Sequence, residues 1–163
     1  MTDKPHDYDW LWWPMVSTVF WMVIVGFFLA GCSGAHYETD LGIDVYVEPG
    51  AGFPGEEWVD RTWMLVAASL GDTGAPDEGL SITYTPTLDS CVGSETVGGC
   101  YDPSAGRITV QRTSDSKCRD DALAHEFIHD WEVRTARPYD HKGWWFVDVL
   151  PEIKETLEQI CKW

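Results

Sequence analysis

An uncharged, largely apolar segment near the N-terminus most limits what this chain can fold into. Residues 10–31, WLWWPMVSTVFWMVIVGFFLAG, carry no charged side chain. A helix of that length is long enough to cross a bilayer, whereas a helix buried in a domain core is usually shorter. Residues 1–31 are therefore predicted to be a signal peptide or membrane anchor, and the rest of the chain is left to form the folded domain.

The end of this segment carries a second signal. Leu29-Ala30-Gly31-Cys32 resembles the lipobox of bacterial lipoproteins, in which the leader is removed and the cysteine becomes the lipidated first residue. A signal peptide usually begins with a positive region, yet here Lys4 stands against three aspartates. A retained transmembrane helix with interfacial tryptophans therefore stays open. Both alternatives predict a cell-envelope protein, attached to the membrane through Cys32 or through the N-terminal helix.

The other four cysteines suit an exported domain. An even number of cysteines outside the cytoplasm favours disulfides, and we expect the pairs Cys91–Cys100 and Cys118–Cys161. A four-cysteine zinc site is the alternative, but the sequence contains no CxxC pair of the kind that such sites use.

The periodicity and turn residues predict an α+β domain over residues 41–163, after a tether at 32–40. The predicted strands are 43–49 and 80–87 plus a hairpin over 100–113, and the predicted helices are 55–71, 115–136 and 142–162, the last with a restart or kink at Pro151. This order indicates a short sheet with helices packed on it. The net charge of −16 repels phosphate backbones and argues against a nucleic-acid partner.

The predicted helix 115–136 carries His125-Glu126-Phe127-Ile128-His129. At about 100° per residue, an apolar stripe faces the core: Ala124, Phe127, Ile128 and Trp131. The two histidines lie one turn apart on its flank, where both imidazoles can bind one zinc ion. Glu126 is placed to take a proton from water as a general base. Two solvated surface histidines are the alternative reading.

A catalytic zinc usually has three protein ligands and one open position. His141 is the predicted third ligand, because the other two histidines lie in the leader and the tether. Carboxylates from the last helical region stay open as alternatives: Asp140, Asp148, Glu152 and Glu155.

The segment HEFIHDWEVRTARPYDHKGWWF resembles the core of SprT-like zinc metallopeptidases, within the broader zincin class. The matching positions are His125, Glu126, His129, Trp131, His141, Gly143 and Phe146; Lys142 separates His141 from Gly143, which the family has adjacent. The resemblance implies a small zincin-like fold, with an active-site helix and a C-terminal helix packed on a short sheet. It also implies peptide-bond hydrolysis of a protein or peptide substrate, but the family's nucleic-acid link is not carried over.

Three further features have two readings each. Tyr139 is a candidate oxyanion donor or a turn aromatic that packs. Residues 107–113 form an edge strand that pairs with an extended substrate, or an ordinary strand of the sheet. Asp121 or Glu132 orients a ligating imidazole, or is a solvated charge.

Two other functions remain open at this stage. A non-catalytic zinc-binding envelope module would close the metal with a fourth ligand such as Asp148. A zinc hydrolase of the cell wall would use Trp144 and Trp145 to stack on sugars, although packing is the commoner use of such side chains.

Overall fold

The computed structural model describes residues 34–88, 98–113 and 121–162. They contain five strands and three α-helices, in the order β1 (Ala35–Glu38), β2 (Asp44–Val47), α1 (Glu56–Leu70), β3 (Ser81–Thr85), β4 (Gly99–Asp102), β5 (Arg107–Gln111), α2 (Asp121–Arg134), a π-helical turn (Trp145–Val149) and α3 (Leu150–Ile160). The predicted α+β class is confirmed.

The strands form one mixed sheet in the order β1-β2-β3-β5-β4. Strands β2, β3 and β5 are parallel neighbours, whereas β1 pairs antiparallel with β2 and β4 pairs antiparallel with β5. The predicted hairpin over 100–113 is confirmed, and its turn is fixed by Asp102, whose carboxylate accepts a hydrogen bond from the Ser104 N–H at 3.0 Å. The edge-strand prediction for 107–113 is wrong, because β5 lies between β3 and β4 and the edge is β4.

Strand β1 lies within the segment that was predicted to be a tether. Its sequence, Ala-His-Tyr-Glu, alternates apolar and polar side chains over only four residues. That short pattern was predicted to be a tether, and pairing with β2 stabilises the strand. The tight connection to β2 is closed by Thr39, whose hydroxyl accepts the Ile43 N–H at 3.1 Å. Tyr37 of β1 also stacks on Phe53, with 4.9 Å between ring centroids. The folded domain therefore begins before residue 41.

The helices behave largely as their sequences predict. Helix α1 begins with two acidic residues and ends at Gly71, which adopts a left-handed φ of 70°, a conformation that glycine adopts without strain. The predicted apolar stripe of α2 is buried, and Phe127 packs edge-on against Trp63 of α1 at 5.3 Å. These contacts hold α2 against the rest of the core, and the flank that carries His129 and Glu126 is buried as well.

The C-terminal region contains the predicted restart. The π-helical turn leads directly into α3, and Pro151 stands in the first turn of that helix. The Leu150 N–H bonds the Trp145 carbonyl, so the π-helical turn continues into α3, and the proline, which has no N–H, lies at the junction between the two. Helix α3 buries Leu150, Ile153 and Leu157, so it packs on the domain as expected.

Several predictions concern residues outside the described part of the chain. These are the leader and Cys32, the disulfide partners Cys91 and Cys118, and the first part of the predicted helix 115–136, before Asp121. Both disulfide pairings therefore stay predictions. Among the helices of residues 34–88, 98–113 and 121–162, none is long and apolar enough to cross a membrane.

Candidate metal centre

Three histidines from two parts of the chain converge beside the middle of α2. The Nε2 atom of His141 lies 3.0 Å from Nε2 of His125 and 3.2 Å from Nε2 of His129. One possible ligand atom from each of the three lies within 4.8 Å of the others. Two nitrogens bound to one zinc ion at about 2.1 Å each are at most about 4.2 Å apart, and both Nε2 separations from His141 are shorter than this. The three imidazoles are therefore arranged as a set that one metal ion can share.

The loop after α2 brings His141 back to the helix. Helix α2 ends at Arg134, and Ala136 adopts a left-handed φ of 52°. The Arg137 N–H then donates to the Glu132 carbonyl at 2.8 Å, which reverses the chain. Past this turn, the Asp140 carboxylate accepts the Lys142 N–H at 2.9 Å and fixes the loop on both sides of His141.

Phe146 forms an apolar wall beside the three imidazoles. Its ring centroid lies 4.8 Å from those of His125 and His129 and 4.9 Å from that of His141. The Phe146 side chain is buried, whereas His141 is exposed. Water and other ligands therefore reach the centre from the His141 side.

The two helix histidines are neutral at physiological pH. Burial, with a smaller effect from His141 and Lys154, lowers the pKa of His125 to about 4. Burial and the two neighbouring imidazoles lower the pKa of His129 to about 3. A histidine binds a metal only in its neutral form, so both side chains are ready to act as ligands without first losing a proton.

A buried carboxylate fixes the orientation of His129. The Nδ1 atom of His129 lies 2.7 Å from Glu132, whose other oxygen accepts the Trp145 Nε1–H at 2.6 Å. Glu132 thus holds the His129 proton on Nδ1 and leaves the Nε2 lone pair facing the other histidines. Burial raises the pKa of Glu132 to about 7, against the opposing effect of the Trp145 bond.

The sequence offered Asp121 or Glu132 for this orienting position, with a solvated charge as the alternative for each. Asp121 instead forms an ion pair with Lys154 at 3.4 Å. The contribution of Trp145 was missed, although one signal was present in the sequence. That signal is Gly143, two residues before Trp145. A Cβ at this position would overlap the Trp145 ring, so the glycine leaves the space that the ring occupies.

Glu126 lies on the same helix, between the two histidines, and is buried. Its carboxylate accepts a hydrogen bond from the main-chain N–H of Tyr101 in β4. Burial raises the pKa of Glu126 to about 8, partly offset by that hydrogen bond. A bound cation would lower this pKa, because positive charge favours the ionised carboxylate. Glu126 can therefore change its protonation state near neutral pH.

Tyr139 lies at the centre rather than in a remote turn. Its ring centroid is 4.4 Å from that of His129, and its hydroxyl donates to the Tyr101 carbonyl at 3.4 Å. Burial and the charges of Glu126 and Glu132 raise its pKa. The side chain is still 51 % exposed. Tyr139 thus packs on a candidate ligand, and its role as an oxyanion donor stays a prediction.

The alternative ligands are not brought to the centre. Within the described residues, the group of side chains arranged for a metal contains His125, His129 and His141 and none of the four candidate carboxylates. The tryptophans also differ from each other: Trp145 is buried on Glu132, whereas Trp144 is 48 % exposed. Trp145 is therefore not available to stack on a sugar.

No protein-family model, curated protein or solved structure matches this chain. The resemblance to zincins accordingly rests on the motif residues alone.

Proposed function

We propose that this chain is a zinc-dependent metallopeptidase, with His125, His129 and His141 holding the ion and Glu126 acting as general base. The observation that carries the proposal is the convergence of the three imidazoles. The Nε2 atom of His141 lies 3.0 Å from that of His125 and 3.2 Å from that of His129. A peptide substrate is inferred from the resemblance of the motif to zincin peptidases.

The donor set suits zinc. Neutral imidazoles are among its preferred ligands, and burial keeps His125 and His129 neutral. When bound, zinc supplies Lewis acidity at the reacting carbonyl. Glu126 accepts a proton from the attacking water and can return it to the departing amine. We infer that Tyr139, whose ring lies beside that of His129, turns its hydroxyl from the Tyr101 carbonyl to the developing oxyanion and donates a hydrogen bond to it.

The number of ligands favours catalysis over a purely structural site. Structural zinc sites usually have four protein ligands, whereas catalytic sites have three and an open position. The described residues contribute three histidines, one of them exposed. Asp148, the fourth ligand that a non-catalytic module would use, is not among them. This supports a hydrolase rather than a binding module.

The exchange of one atom in Glu126 tests the proposal. Glu126→Gln keeps the size of the side chain and removes its ability to accept a proton, so we expect peptide hydrolysis to fall by about 100-fold or more. Zinc content should stay equal to that of the wild type, because Glu126 is not a ligand. Glu158→Gln, on the exposed face of α3, is the matched control. A Glu126→Gln variant that cleaves casein as fast as the wild type would overturn the mechanism.

We propose further that the enzyme acts in the cell envelope, attached to the membrane through Cys32 or a retained N-terminal helix. The support is the uncharged run at 10–31 and the Leu-Ala-Gly-Cys sequence that ends it. Labelling cells with a radioactive fatty acid separates the two modes. Incorporation that is lost in Cys32→Ala indicates lipidation, whereas membrane association without incorporation indicates the helix.

A further inference from the structure

Strand β4 contacts the Glu126 side chain at Gly99. A Cβ added at Gly99 would lie 2.8 Å from Glu126 Cγ and 2.9 Å from Oε1, closer than real Cβ atoms approach other atoms. Gly99 does not adopt a left-handed φ, so its backbone conformation does not require glycine. A larger residue at this position would instead displace the buried Glu126 side chain.

The same strand also holds the carboxylate of Glu126. Two residues after Gly99, the Tyr101 N–H donates a hydrogen bond to it. A hydrogen bond to a carboxylate is directional, and it is stronger than one between neutral groups. Gly99 therefore bounds the side chain on one side while the Tyr101 main chain fixes where its oxygens point.

Tyr101 is itself anchored to the active helix. Its buried hydroxyl donates to Asp130 at 3.1 Å, and Asp130 lies one turn after Glu126 on α2. Arg134 bonds the other oxygen of Asp130 at 2.8 Å and reaches Asp72 at 3.0 Å. Strand β4 is thus tied to α2 beside Glu126, and its distance from the helix is fixed.

We propose that β4 is a positioning element for the general base, in which Gly99 supplies the space for Glu126 and the Tyr101 N–H orients its carboxylate. Gly99 is a positioning residue, since it acts through Glu126. The catalytic consequence rests on the proposed peptidase function, whereas the contact between Gly99 and Glu126 does not.

A double-mutant cycle in thermal unfolding tests the contact without any assay of activity. We expect Gly99→Ala to lower the unfolding midpoint of the wild type, because its methyl group overlaps Glu126. Glu126→Ala removes the overlapping atoms, so adding Gly99→Ala to that variant should lower the midpoint much less. Equal effects in the two backgrounds would overturn the proposal.

Hydrolysis by the 163-residue chain tests the catalytic part. In Gly99→Ala the carboxylate is displaced, and we expect kcat to fall about 10- to 100-fold, with KM and zinc affinity unchanged. Gly98→Ala is the control, because it adds the same methyl group to the neighbouring residue, where the Cβ would meet Ala122 at 3.2 Å and no atom of Glu126 within 4 Å. An unchanged kcat in Gly99→Ala, or an equal loss of zinc affinity, would overturn the proposal. A wild type that cleaves nothing while the stability cycle shows coupling would overturn the peptidase function and support only the contact between Gly99 and Glu126.

Discussion

Replacing Glu132 by glutamine tests how the buried partner of His129 controls metal binding. Glu132 is fully buried and accepts two hydrogen bonds, from His129 and from the Trp145 indole. Glutamine has one oxygen and one NH2 group in the same two places. The indole N–H can only donate, so the oxygen of glutamine must face Trp145 and its NH2 group must face His129.

That arrangement forces His129 to accept a hydrogen bond at Nδ1, which moves its proton to Nε2. Nε2 is the atom 3.2 Å from His141 that faces the metal position. If His129 instead keeps its proton on Nδ1, this N–H faces the NH2 group of the glutamine, and two donors oppose each other. The hydrogen bond from His129 to the charged carboxylate, worth about 1.5–3 kcal/mol, is then lost. Either outcome weakens zinc binding by about 10- to 100-fold, the range typical for partners of metal-ligating histidines.

The assay is a competition titration of the metal-free 163-residue chain against a chromophoric zinc chelator. Glu158→Gln makes the same chemical change on the exposed face of α3 and should leave the affinity unchanged. Circular dichroism checks that both variants are folded. A folded Glu132→Gln variant with the zinc affinity of the wild type would refute the orienting role of Glu132.

Three further predictions follow from individual contacts. Tyr139→Phe should lower kcat about tenfold or more with unchanged zinc affinity, and an unchanged kcat would limit Tyr139 to packing. In the metal-free chain, the buried histidines take up protons only on unfolding, so stability falls as the pH drops below about 6.5. Glu126 and Glu132 have raised pKa values in the folded chain, so they lose their protons more readily when the chain unfolds. The free energy of unfolding therefore falls as the pH rises above about 4.5. The unfolding midpoint should therefore be highest between these two values, and a steady rise from pH 5 to 8 would contradict this. Phe127→Ala removes a fully buried ring and should cost about 3–5 kcal/mol in urea unfolding; the same loss in exposed Val133→Ala would contradict that reasoning.

The sequence was sufficient to predict the helix that carries the centre. The spacing of His125 and His129, and the apolar stripe behind them, depend only on the helical period. The hairpin and the restart at Pro151 were likewise predicted, because turn residues and proline act locally. His141 was predicted by elimination among five histidines.

Other features depend on contacts between distant segments and were missed. Strand β1 has an apolar–polar alternation of only four residues, and its pairing with β2 stabilises it. The position of β5 inside the sheet follows from its parallel pairing with β3, which no local pattern of residues 107–113 reveals. The contact of Gly99 with Glu126 joins β4 to a helix 27 residues further on. Such pairings are set by the tertiary fold.

The most direct test of the account is the zinc content of the purified 163-residue chain, measured by mass spectrometry after dialysis. We predict one zinc ion per wild-type chain and its loss in His141→Ala, because that substitution removes the ligand that completes the set. His36→Ala is the matched control, since His36 lies on β1 and bonds Asp44 instead, and it should keep the full zinc content. If His141→Ala retained zinc as firmly as the wild type and the control, the three-histidine centre would be contradicted.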